Sequence, residues 1–107
     1  MSGETIEVVI PHKHPASAGM FTFDGKVVEV FGFGTNNSVR LHVRQIGEVE
    51  LNFEAGVFSA PCLRFGGRAG STGWTQVIDP REEDRPKLQE FAAAVEAAAS
   101  DNPEEEA

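Results

Sequence analysis

Apolar and polar residues alternate along most of the first 78 residues, and turn-forming residues interrupt the alternation at short intervals. Ile6, Val8 and Ile10 fall on one face of a strand over 5–10, Glu7 falls on the other, and Pro11 ends it. Residues 12–19 (HKHPASAG) carry no recurring apolar position and predict a loop. Strands over 20–23 and 26–31 flank Asp24-Gly25, a pair suited to the positive φ angles of a two-residue type I′ turn. Residues 32–37 (GFGTNN) predict a longer turn that leaves nothing to pack. Val39, Leu41 and Val43 then alternate with Arg40, His42 and Arg44, giving a strand with one apolar and one basic face. Ile46 falls out of that parity. Gly47 beside it predicts a bulge before Val49, Leu51 and Phe53 resume the alternation against Glu48, Glu50 and Asn52. The chain turns at Ala55-Gly56, and strands over 62–65 and 74–78 bring the count to seven, with the glycine-rich hairpin loop 66–73 between them.

The periodicity then changes from two to between three and four. Leu88, Phe91, Ala92, Val95 and Ala99 form a stripe along one helix of about four turns. Asp84 is positioned to cap its first amides, and Pro86 lies where a missing N–H costs nothing. Seven short strands and one amphipathic helix predict a mainly β (α+β) fold. The two economical forms are a seven-stranded antiparallel, partly open barrel plugged by the C-terminal helix, and two orthogonal sheets with the helix across one end. The barrel is the preferred form, because eight Phe and no Tyr suit an interior of rings without hydroxyls to satisfy. One domain over 1–99 and a disordered acidic tail over 100–107 (SDNPEEEA) complete the expectation.

Charge narrows the range of partners. Nine Lys+Arg against 17 Asp+Glu give a formal charge of −8, which repels phosphate backbones and anionic head groups. Nucleic acid and membrane insertion are thereby disfavoured. The single Cys62 and the absence of a signal-peptide pattern at the start predict a reducing, cytoplasmic setting.

FDGKVVEVFG, SVRLHVRQIGEVELNF, APCLRF and the helix KLQEFAAAVEAA lie within residues 21 to 99. In their pattern they resemble the pleckstrin-homology (PH) superfold, and bacterial PH-like domains of small proteins of unknown function. The resemblance implies seven strands closed by a C-terminal helix and a scaffold for binding rather than catalysis. Lipid-binding members place a basic cluster in the first loop, whereas HKHPASAG offers Lys13 and two histidines, so phosphoinositide binding is not expected.

The candidate binding residues are Arg40, His42 and Arg44 on one face, Val57 and Phe58 in a turn, and Trp74 as an aromatic anchor. Salt bridging of the basic stripe to Glu29, Glu48 or Glu50 is the simpler expectation for the arginines, and a place in the core is the simpler one for Trp74. His12 and His14 flank Lys13, and with His42 they make the alternative reading of a small metal- or ligand-binding protein or enzyme. No third ligand accompanies the pair in sequence, and exposed loop histidines are the commoner case. Cys62 reads as a small buried apolar residue with Arg64 projecting from the same face, and no base is placed beside the sulfur. No motif places a carboxylate pair or a nucleophile–His set, so the chain reads as a non-enzyme without cofactor, binding a protein or a second copy of itself.

Overall fold

The alternating segments form seven strands in a computed structural model that describes residues 5–34, 38–54, 60–67 and 73–101. They are β1 (Ile6–Ile10), β2 (Gly19–Phe23), β3 (Val27–Gly32), β4 (Val39–His42), β5 (Ile46–Asn52), β6 (Cys62–Gly67) and β7 (Trp74–Val77). Among the described residues one α-helix, α1 (Arg85–Asp101), follows; it takes in Ser100 and Asp101, which were expected in the tail, and the rest of that tail, 102–107, lies outside the described residues. The strands separate into two antiparallel sheets, β1-β2-β3-β4 and β5-β6-β7. Among the described residues no strand pairing joins the two sheets, so the arrangement is two sheets and a helix around one shared core. No helix among the described residues is long and apolar enough to cross a membrane.

Parity explains what is buried. In the four-stranded sheet the rows Val8–Phe21–Val30–Val39 and Ile6–Phe23–Val28–Leu41 run across the strands on the core side. Val49–Phe65–Trp74 and Leu51–Leu63 face them from the other sheet. Leu88, Phe91 and Val95 of α1 are completely buried in this space. The Phe91 ring lies 5.7 Å from Phe21 and 6.4 Å from Phe23, the latter edge to face. Each such ring withdrawn from water contributes roughly 2–3 kcal/mol, so the helix stripe and the sheet rows hold one another in place.

The hairpin after β2 turns one residue later than the sequence pattern implies. Asp24 N–H donates to the Val27 carbonyl, so Gly25 and Lys26 are the central residues, and Gly25 has φ +101°. A positive φ at the first central residue alone is the type II′ pattern. Asp24 closes the turn by accepting the amides of Val27 at 2.8 Å and Lys26 at 2.9 Å. These donors hold its carboxyl below the ordinary carboxylate range.

Three other expectations change. Phe33, assigned to a turn with nothing to pack, is buried at 8% exposure, because positive φ at Gly32, Phe33 and Gly34 curls the chain inward. Its N–H donates to Ala18 O at 2.8 Å, and its ring sits 5.4 Å from Phe21. The strand over 39–44 ends at His42, since Val43–Gln45 form a turn of 3-10 helix that leads into β5. The expected bulge follows as a register shift between Ile46 and Glu48. Asp84 does not cap α1. Its carboxylate is almost fully buried and accepts the Arg81 backbone N–H, Nε and Nη2 at 2.8–2.9 Å, ending a 3-10 turn (Glu82–Asp84) that precedes the helix.

Candidate interaction surface

The proposed basic stripe is divided among structural tasks. Arg40 Nε meets Glu29 Oε2 at 2.9 Å across the β3–β4 pair, the cross-strand ion pair expected of opposite charges on one face. His42 Nδ1 accepts the Arg44 N–H at 3.1 Å, and the His42 N–H donates to Gln45 Oε1 at 3.0 Å, so the ring caps the 3-10 turn. Arg44 is exposed on that turn, one step beyond the strand. Glu48 and Glu50 instead hold Arg64, through Nη2 to Glu48 and through Nε to Glu50 at 3.2 Å. That bracket lies on the outer face of the smaller sheet. Cys62 shares this face with Arg64 and is half-buried opposite Val77, where burial in the core was expected.

Trp74 lies on the core side of β7 opposite Phe65, half-buried and packed against the core. Its indole Nε1 is enclosed and has no hydrogen-bond partner among the described residues. Arg40 and Trp74 therefore occupy different sheets and opposite sides, and Arg44 lies on neither sheet. Val57 and Phe58 lie outside the described residues.

The histidines form a clasp at one corner. His12 Nε2 lies 2.7 Å from Asp79 Oδ2, and Nδ1 accepts the His14 N–H at 3.0 Å. With Nδ1 accepting, the proton sits on Nε2 and is donated to the carboxylate. This bond ties the segment after β1 to the segment after β7. The His14 ring lies 5.4 Å from that of His12, while His42 is engaged at the end of β4. Among the described residues no three His, Cys, Asp or Glu side chains converge as a metal ion requires. A recess of about 120 Å³ lies between β5 and the end of α1, lined by Gly47, Glu48, Val49, Glu96, Ala99 and Ser100. It is well below the size that encloses an organic substrate.

The register reveals a surface that the strand patterns did not. On the outer face of the larger sheet, Val9 stands opposite Met20, and Met20 opposite Phe31, an apolar row across three strands. Val9 is 52% exposed, and Met20 and Phe31 are half-buried. The next row, Glu7–Thr22–Glu29–Arg40, is polar. Val9 breaks the alternation of IEVVI, which is the only local sign. Met20 and Phe31 look like ordinary strand residues until the pairing aligns them. No family model, curated protein or solved structure matches the chain.

Proposed function

We propose that the chain is a non-catalytic interaction module on a PH-like scaffold, and that it binds a protein surface through the outer face of β1–β4. Sheets of four and three antiparallel strands followed by a single helix support the scaffold reading. The observation that carries the function is the Val9–Met20–Phe31 row, which runs to the outermost strand and ends on a valine half open to water. A contiguous apolar row reaching a sheet edge is where β proteins accept partners. The polar groups with chemical potential have structural partners: His12 with Asp79, His42 with the Arg44 amide, Arg40 with Glu29. That distribution supports binding over catalysis.

The test is site-specific photo-cross-linking in a lysate of the source cells. A benzophenone side chain at position 9 is expected to give discrete protein adducts, while one at Thr75, on the outer face of the other sheet, is expected to give none. Equal labelling from both positions, or none from position 9, contradicts the proposal.

A further inference from the structure

Four strands lie at sheet edges: β1, β4, β5 and β7. Natural edges are guarded by charge, bulges, shortness or a covering element. β5 carries Glu48 and Glu50, a bulge, and the packing of α1. β4 and β7 have four residues each, and β4 carries Arg40. β1 has five residues and one charge, Glu7. Among the described residues its backbone pairs only with β2, and the N–H and C=O groups of Glu7 and Val9 on its far side have no ladder partner among them. β7 is uncharged and ends on Val77, 58% exposed, but the Val77 row runs through Cys62 to the polar Asn52, and α1 touches β1 as well as β5; β1 is the edge at which an apolar row ends, on Val9.

We infer that β1 pairs antiparallel with β1 of a second copy of this chain, with Val9 on the two-fold axis. The inference rests on the interaction-module reading and names its partner. Because the interface is isologous, one strand must complement itself, and the register decides whether it does. A pairing centred on Glu7 opposes two carboxylates, and one centred on Val8 sets Glu7 against the partner's Val9. Centring on Val9 places Val9 against the partner's Val9 and Val8 against the partner's Ile10. Glu7 then falls opposite the partner's Pro11, beside the segment that carries the exposed Lys13. Only this last register joins the two apolar rows into one stripe of six side chains and brings acid toward base; its ladder runs through the outward backbone groups of Glu7 and Val9 and forgoes the bond that Pro11 has no N–H to donate.

A five-residue edge is roughly 17 Å long and covers less area than a standard interface, so the dimer is weak and forms in the range of about 0.1–1 mM. Two chains of charge −8 repel at long range while the seam itself is nearly neutral. Salt therefore strengthens this dimer, opposite to its effect on a basic partner held by charge.

Sedimentation equilibrium of the purified full chain from about 0.02 to 1 mM, at low and high salt, reads the dimer directly. The expected result is a dimer that grows with concentration and salt. Val9→Lys should weaken it at least about tenfold with unchanged circular dichroism, and Val9→Thr should retain it better. In a Cys62→Ser background, Val9→Cys should form an intermolecular disulfide under mild oxidation, and Thr75→Cys should not. A chain monomeric throughout, or equal cross-linking from both cysteines, overturns the inference. If the chain is monomeric while position 9 still captures another protein, the dimer fails and the interaction module stands. If position 9 captures nothing either, both fail.

Discussion

Replacing Gly19 by alanine tests how the first β-hairpin and the following turn are packed together. Gly19 begins β2, paired with Ile10 on one side and Gly32 on the other. A methyl group built there would run into the edge of the Phe33 ring and come within 2.6 Å of the Phe31 carbonyl oxygen. The ring cannot swing away freely, because it is buried and packed against Phe21. Overpacking of this kind costs about 1–3 kcal/mol, offset by roughly 0.4–1 kcal/mol from the stiffer unfolded chain. The net loss of about 1–2 kcal/mol lowers the melting temperature by roughly 4–15 °C in a domain of this size. Differential scanning calorimetry or a thermal melt followed by circular dichroism measures it. Phe33→Leu should recover part of the loss, so that the double variant falls short of the summed single effects by about 0.5 kcal/mol or more. Recovery stays partial because the Phe31 carbonyl remains. Gly25→Ala is the contrasting case: it meets open space, suffers only from its φ of +101°, and gains nothing from Phe33→Leu. A Gly19→Ala protein as stable as the parent, or one whose loss simply adds to that of Phe33→Leu, refutes the packing argument.

Other perturbations follow from the same contacts. The Asp84 carboxyl is held below its usual range chiefly by the Arg81 hydrogen bonds, so its stabilisation is present above about pH 4 and lost as pH falls through the lowered value. Asp84→Asn should cost about 1–3 kcal/mol at neutral pH and flatten the acid limb of a urea-denaturation series measured between pH 6 and 2. Phe91→Ala should remove about 3–5 kcal/mol, enough to unfold much of a marginal domain, as read by loss of near-ultraviolet dichroism. His12→Ala breaks a corner contact to an exposed Asp79 and should cost less than about 1 kcal/mol in a thermal melt.

Strand positions and the helix stripe were legible in the sequence because alternation and three-to-four spacing are local signals. The bulge after Ile46 was legible for the same reason, since a parity break beside a glycine is the local mark of one residue inserted into a strand. Phe33 was not. Its burial depends on three consecutive positive φ angles that fold a turn back over Phe21, a long-range event without a local mark. Asp84 looked like a helix cap because Asp at that position usually is, but Arg81 offered its carboxylate a charged fork and a backbone amide from the preceding turn in place of the first amides of α1. The barrel and the two-sheet form bury the same residues, and only the pairing between strands separates them. The same reason hid the candidate surface. Val9, Met20 and Phe31 lie on three strands, and a row exists only once the register is known.

The partner assigned to the outer face of the larger sheet, at its Val9 edge, is a second copy of this chain. An amide-resolved ¹H–¹⁵N correlation series on the uniformly labelled chain, from about 0.05 to 1 mM, tests it most directly. Shifts confined to residues 6–10, Met20 and Phe31, and absent from Val9→Lys, are the predicted result. Spectra that do not change with concentration, or changes centred on Cys62, Arg64 and Thr75 of the other sheet, would contradict it.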